Sequence, residues 1–557
     1  MPSPLFQAFG ILLFSCAWLS FDHYRPWVNF HAEAMALFGV SLLAASQLFK
    51  RNHPLEAPRW IWIVAAVAAV PWLQWLTGVS LFSGDAVVVS LYLYGFAVAI
   101  ALGYTYVREA PDRLTPVFSS LCIVAMVSAA IGLLQWFSLE GPLGMYVVQT
   151  DAGDRAMGNL GQPNQLATLL LMGLASLTWF YERRRIGPTG MIFGTAFLTL
   201  VLVLTQSRSG TLSAVAAAFL LVWKAPASSA RLRRRHVIAW TLAYLLARQL
   251  LPLVQSLLLM SDWRSTLSLV NDNGRFIIWK QMLAGIWESP WVGYGWNQTP
   301  TAHASGSLHF PGSMTYTNGH NVVLDILAWN GIPLGVAISL ACAYWLLSRI
   351  REIKDASALY AMGCLLPIVV HSFFEYPFAY SYFLLAAGLM AGIVEANRPH
   401  SLATNVSKRL FAVALSAWFS VGLYVVYEYI QIEEDFQVVR FENLKIGKTP
   451  EEYQRPKNIW LLSHMGAMLR AARQEATRDM RIEEIENLHK TSSRFAYGAL
   501  AFRYALALGL NGQPEAASRQ MRIIRGMYGE IYYQAAKSVL RSLEAEKYPE
   551  LALVLTP

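Results

Sequence analysis

Residues 191–224 read MIFGTAFLTLVLVLTQSRSGTLSAVAAAFLLVWK, an apolar run, a short polar turn around Arg208, and a second apolar run. There is almost no loop between the two runs, so they form a pair of helices reversing at an interface, with the guanidinium at that interface or in a cavity near it. The same pattern extends outward in both directions. The uncharged runs 86–106, 117–137 and 191–205 can each cross roughly 30 Å of hydrocarbon as helices, or nearly so for the shortest. None shows the period-two alternation of a barrel strand. The fold class expected is therefore all-α, a polytopic membrane helical bundle.

Composition agrees. Of 557 residues, 55% are hydrophobic and only 14% charged, and a soluble protein could not hide that much apolar surface. The net charge of +9 could suggest nucleic acid, but the basic residues stand in short clusters between apolar runs, which is how a membrane protein sets its orientation. No nucleic-acid partner is expected; the bilayer is the partner that composition implies. Cys16, Cys122, Cys342 and Cys364 all lie in apolar runs without metal-ligand spacing and read as packing residues. The first apolar run has neither a basic leader nor a small-residue cleavage site, so it is expected to be a retained helix.

About thirteen spans are predicted, near 4–20, 28–48, 60–78, 86–106, 116–138, 164–181, 189–206, 209–224, 236–258, 323–348, 357–374, 380–396 and 409–430. Alternate connections carry the positive charge, including Lys50 and Arg51, Arg183 to Arg185, Arg231 to Arg235, and Arg349 to Lys354. Those sides should be cytoplasmic, with the amino terminus inside and the carboxyl terminus outside. Residues 1–431 form the predicted membrane domain, including a long outer loop at 259–322. Residues 432–557 form a predicted outer helical domain, in which AYGALAFRYALALGLNGQPEAASRQMRII resembles one tetratricopeptide-type helix pair. The amphipathic stretch 275–288, with Phe276, Ile277, Met282 and Trp287, is expected in the membrane interface.

On this topology the polar residues gather on the outer face. The segment DAGDRAMGNLGQPN (151–164) offers Arg155, Gln162 and Asn164, although Gly, Pro and Asn are ordinary turn residues. Arg208 is a functional candidate by its depth, with lipid-headgroup contact as the alternative. Arg275, in NDNGRFIIWK, opens a helix whose free N-terminus already favours anions, so a cation there makes sense if an anion such as a diphosphate binds both, with a lipid-headgroup contact as the alternative. His320 precedes Asn321 where the loop re-enters the membrane; a helix N-terminus keeps an imidazole neutral and able to accept a proton near pH 7. Asn318 and Gly319 are the expected cap and turn. Asp325, five residues on, lies on a different helix face and is not assumed to orient His320 as in a triad. FFEYPFAY (373–380) adds Glu375, Tyr376 and Tyr380.

The chemistry this set suits is transfer from a diphosphate-activated donor, with cations neutralising the leaving group and a neutral histidine taking the acceptor's proton. No Walker loop or dinucleotide fingerprint supports ATP-driven or redox chemistry, and no Asp-x-Asp in an outer loop supports a metal-dependent mechanism. No cofactor and no metal site are expected.

TQSRSG, then GRFIIWKQMLAGIWESPWVGYGW, then GHNVVLDILAWNGIPLG, in that order, resemble the O-antigen ligase and polymerase superfamily of membrane glycosyltransferases. RPWVNFHAE and RAMGNLGQPNQLATLL, with the added outer domain, look like its protein O-oligosaccharyltransferase (pilin glycosylation ligase) branch. The resemblance implies a GT-C-like bundle in the bacterial inner membrane and an undecaprenyl-diphosphate oligosaccharide as donor. It also implies a Ser or Thr of an exported protein such as a pilin as acceptor, with metal-independent inversion at the anomeric carbon. Carried over by motif, His320 is the base or the residue that orients the acceptor. Arg208 and Arg275 hold the diphosphate, and Gln162 and Tyr376 shape the donor site, with Arg155, Asn321 and Glu375 beside them. An O-antigen ligase acting on lipid A core, a polymerase of lipid-linked glycan and a transporter of the same lipid are the competing readings.

Overall fold

The computed structural model describes residues 2–50, 55–151, 154–258, 273–398 and 401–555. Arg51, the two residues 152 and 153 of the polar loop, and the 259–272 part of the long outer loop lie outside the described residues. Among the described residues there are twenty-one α-helices and one pair of four-residue strands. Six helices are both long and apolar enough to cross a membrane: Ser83–Glu109, Asp112–Trp136, Arg208–Ser228, Arg234–Leu257, Val322–Glu352 and Lys408–Leu444. Other predicted spans fall on shorter apolar helices, among them Pro188–Leu204, Ala356–Ser372 and Ser381–Ala396. The third predicted span is broken into Ile61–Val67 and Val70–Leu76.

The chain divides into two compact units. The first comprises Met1–Val67, Leu91–Leu269 and Ala343–Leu423 and holds most of the apolar helices. Its core is built from Leu, Val and Ala of Thr115–Trp136, Pro163–Glu182, Pro188–Leu204 and Ala356–Ser372, with Phe118 stacked on Trp179 at 4.5 Å. Small residues let backbones touch: a Cβ on Gly103 would lie 2.1 Å from the Leu389 carbonyl oxygen, and one on Gly392 would lie 2.1 Å from that of Ile100. In hydrocarbon such close packing, rather than any hydrophobic drive between helices, holds a bundle together. Some residues of the basic clusters are paired within this unit. Arg349 and Glu395 form a buried ion pair at 3.2 Å, which Trp345 joins through Nε1, and Lys50 pairs with Glu109. The strands Leu55–Pro58 and Ala403–Val406 pair antiparallel with Leu55 opposite Val406. They were not predicted, because a four-residue strand containing a proline reads as a linker unless its partner, nearly 350 residues away in sequence, is known.

The second unit comprises Ala68–Ser90, Val270–Cys342 and Tyr424–Pro557, so the long loop and the tail share one body. The loop contributes Asn273–Glu288 and Thr299–Ser307; the tail contributes Ser463–Arg473, Ile482–Arg494, Gly498–Leu510 and Pro514–Glu546. Arg494 donates to Asp85 Oδ1 at 2.9 Å and Gln298 donates to Oδ2 at 2.9 Å, so one buried carboxylate joins a tail helix, the loop and the first turn of Ser83–Glu109. Glu428 is fully buried and accepts the backbone N–H groups of Trp460, Leu461 and Leu462. The helix pair expected near 493–528 is present as Gly498–Leu510 and Pro514–Glu546, the latter breaking at Gly529 (φ 83°).

The interface reading of 275–288 is corrected in part. Ile278, Met282 and Ile286, spaced by four, point into a core with Ala302, Tyr316 and Ala328, and Met282 is fully buried. Phe276, Leu283 and Trp287 form the exposed stripe. The amphipathic face was real, but protein covers its inner side.

Candidate functional site

The site residues fall into two groups, one in each unit. In the first unit, three segments far apart in sequence meet at the side chain of Asn164. Its Oδ1 accepts from Ser207 Oγ at 2.7 Å and from Arg155 Nη2 at 3.3 Å, and its Nδ2 donates to Glu375 Oε1 at 3.4 Å. Arg155 also donates through Nε to the Thr205 carbonyl at 2.7 Å. The polar loop, the TQSRSG turn and the FFEYPFAY turn are thereby tied into one network. Local sequence explains each element. Gln206, in the left-handed region (φ 47°), reverses the chain after Pro188–Leu204, and Ser207 caps the next helix by accepting from Gly210 N at 2.8 Å. Arg208 is therefore the first residue of Arg208–Ser228, with an exposed side chain. A guanidinium at a helix N-terminus gains nothing from the peptide dipoles, whereas an anion there is favoured by both.

Gln162 caps Pro163–Glu182 by accepting from Gln165 N at 2.9 Å, the ordinary use of a polar residue before a helix-opening proline. Glu375 is buried, and Tyr376 stacks on Tyr380 with ring centroids 5.9 Å apart. Burial first, and then the neighbouring Glu375, raise the Tyr376 phenol above its usual pKa, so it stays a neutral hydrogen-bonding group.

Two residues of this region escaped the sequence reading. Arg248, inside Arg234–Leu257, donates to the Ser207 carbonyl at 2.8 Å and to Thr211 Oγ1, bracing the turn that carries Arg208. His371 meets Thr168 Oγ1 through Nδ1 at 2.9 Å, and its carbonyl accepts from Glu375 N at 2.9 Å. Both were detectable as lone ionisable residues within apolar runs, where such groups usually have partners or functions.

In the second unit, Arg275 lies in the first turn of Asn273–Glu288 and is half-buried. It repeats the arrangement at Arg208, a cation at the positive end of a helix. His320 lies two residues before Val322, where the helix begins, and its backbone is left-handed (φ 50°), a conformation uncommon for a residue with a Cβ. The expectation that Asn318 is the cap and Gly319 the turn residue is corrected. Asn321 caps the helix, accepting from Val323 N at 3.0 Å and Leu324 N at 3.3 Å, and the left-handed residue is His320 itself. Asp325 is fully buried; its Oδ1 accepts from the Gly319 N–H and from Thr299 Oγ1, each at 2.8 Å.

Chemically, the first group offers an arginine at a helix start backed by a buried polar network, and the second offers another such arginine and a histidine on a constrained turn. An arrangement of the first kind can bind and orient anionic groups, and a histidine as in the second can accept a proton.

Three family descriptions match the chain in series: protein glycosylation ligase over residues 156–181, O-antigen ligase over 193–339, and virulence factor membrane-bound polymerase, C-terminal, over 359–542. A general O-oligosaccharyltransferase of Acinetobacter baylyi is 29% identical over 542 residues, covering 94% of this chain and 92% of that protein. A ComP-specific O-oligosaccharyltransferase of the same organism is 28% identical over 396 residues, covering 69% and 70%. Along most of its length the chain is thus similar to protein O-oligosaccharyltransferases, and its central part matches the O-antigen ligase family.

Proposed function

We propose that this protein transfers an oligosaccharide from an undecaprenyl-diphosphate carrier to a Ser or Thr hydroxyl of an exported protein such as a pilin, at the outer face of the bacterial inner membrane. The observation that carries this reading is the alignment with a general O-oligosaccharyltransferase over 94% of the chain, which necessarily spans every segment bearing a candidate site residue. In the reaction, the acceptor oxygen attacks the anomeric carbon and its proton passes to His320. The bond from that carbon to the diphosphate breaks, with inversion, and undecaprenyl diphosphate leaves. Arg208 and Arg275 neutralise the charge that grows on the leaving group, Asn321 holds the turn beside His320, and Arg155, Gln162, Glu375 and Tyr376 shape the donor end. No metal or cofactor takes part. The helical array is read as thirteen spans with the amino terminus cytoplasmic, and 432–557 as an outer, tetratricopeptide-like domain.

The test is to incubate the purified protein with labelled lipid-linked oligosaccharide, a pilin-type protein and lipid A core. Label on protein is expected. Label on lipid A would make it an O-antigen ligase, a longer lipid-linked chain would make it a polymerase, and label left unreacted on its carrier would refute transfer.

A further inference from the structure

The mechanism above uses His320 but leaves unexplained how its turn is held, and the second unit contains a buried hydrogen-bond chain that ends there. The Val322–Glu352 helix is interrupted at Gly331 (φ 74°, ψ 173°), which separates a short helix beginning at Val322 from the apolar stretch that follows. The break frees carbonyl oxygens, and the loop ESPWVGYGW recaptures them. Tyr294 N donates to the Ala328 carbonyl at 2.8 Å, and Gly295 N and Gln74 Nε2 donate to that of Trp329 at 3.0 and 2.8 Å. Only glycine fits at the contact, since a Cβ on Gly293 would lie 2.5 Å from the Ala328 carbonyl oxygen.

The short helix is thus locked at its end, and its side chains carry the lock back toward His320. Trp329 Nε1 donates to Thr299 Oγ1 at 2.8 Å, Thr299 donates to Asp325 Oδ1 at 2.8 Å, and the same oxygen accepts the Gly319 N–H at 2.8 Å. Gly319, Thr299, Asp325 and Trp329 are all buried. A left-handed histidine persists only where its surroundings over-determine it, and the residue before it is pinned from six positions downstream.

We infer that Asp325 is a positioning residue for the transfer reaction: through Gly319 it sets the backbone turn that presents His320, and Thr299 and Trp329 set Asp325. The inference rests on the reading of His320 as the group that meets the acceptor. It concerns the hydrogen-bond acceptor Oδ1 rather than a charge relay, so an amide in place of the carboxylate should serve.

The experiment compares Asp325→Ala, Asp325→Asn and Thr299→Val with wild type, alone and with His320→Ala, in the full-length detergent-solubilised protein. Transfer is followed at varied concentrations of lipid-linked oligosaccharide, with thermal melting as the control for folding. A misplacement of about 1 Å costs on the order of 10²-fold in rate, so Asp325→Ala should lower kcat by roughly that factor with the donor KM little changed. Asp325→Asn should recover most of the rate, and Thr299→Val should fall between. In the His320→Ala background, Asp325→Ala should cost almost nothing further, because a residue that acts through another has no independent effect once that residue is gone. A wild-type kcat for Asp325→Ala while His320→Ala retains only residual activity overturns the positioning role alone. Multiplicative losses in the double variant, or an Asp325→Asn as impaired as Asp325→Ala, also overturn it. Full activity of His320→Ala overturns the underlying reading of the histidine.

Discussion

Asn164 joins three segments, so removing its side chain is the most direct test of whether that network organises transfer. Asn164→Ala deletes the acceptor for Ser207 Oγ at 2.7 Å, a well-formed neutral hydrogen bond. It also deletes the longer contacts to Arg155 at 3.3 Å and Glu375 at 3.4 Å, both to ionisable groups. A neutral bond is worth about 1 kcal/mol and one to a charged group about 1.5–3 kcal/mol at good geometry, so the two long contacts count at or below the lower end. The total is about 2–4 kcal/mol, including the deficit left at Glu375, which is only 8% exposed. If that organisation is felt in the transition state, the rate falls by roughly 30-fold to 10³-fold. Asn164→Asp keeps the oxygen that Ser207 and Arg155 use but sets a second carboxylate 3.4 Å from Glu375. Like charges at that distance favour protonation of one of them, so part of its deficit should recover as pH falls. The assay is single-turnover transfer of labelled glycan to an acceptor protein, with thermal melting alongside. A folded Asn164→Ala that transfers within about twofold of wild type would show that the network is scaffolding without catalytic consequence.

Arg208→Ala and Arg275→Ala should each lose on the order of 10²–10³ in rate while accumulating normally in the membrane, by comparison with removal of an oxyanion-stabilising donor; near-normal turnover in both would make them headgroup anchors. A periplasm-dependent reporter should be active when fused after Glu434 and silent after Arg234, and the reverse pattern would invert the topology. Chelator should leave transfer intact, which a titration with EDTA during turnover checks. Burial pushes His303 down to about 3 and His464 down to about 4, so the folded state resists protonating them while the unfolded chain titrates near 6.5. Stability should therefore be complete above about pH 6.5 and decline as pH falls toward 4, by up to about 1.4 kcal/mol per pH unit for each histidine. His303 stacks on Tyr316 at 3.8 Å, and neither of its ring nitrogens has a hydrogen-bond partner among the described residues, so His303→Phe should fold and show a shallower loss of melting temperature between pH 6.5 and 4.5.

Much of this protein is legible in its sequence because hydrocarbon imposes simple rules. A helix must satisfy its backbone internally, so each span announces itself as an uncharged run, and an arginine such as Arg208 between two runs stands out without any knowledge of its neighbours. The motifs TQSRSG, NGRFIIWK and GHNVVLDILAWNG likewise carried the family resemblance before any coordinates, since each keeps its chemistry within a few consecutive residues. The helix start near Arg275 followed from a local dipole argument.

What only the tertiary structure decided is which distant groups meet, because hydrogen bonds between residues tens or hundreds of positions apart leave no period in the chain. Asn164 reaches Ser207 and Glu375 across 43 and 211 positions, and nothing local distinguishes it from a turn asparagine. Arg248 stood out as a lone cation in an apolar run, but what it braces did not; Met282 looked interfacial until the loop's own core covered it, and the long loop and the tail proved to share one compact unit. The same holds at His320: sequence spacing alone could not show that the Asp325 carboxylate turns back to hold the Gly319 N–H. Helical periodicity tells which face a side chain leaves from, while the fold of the preceding loop determines what it finds there.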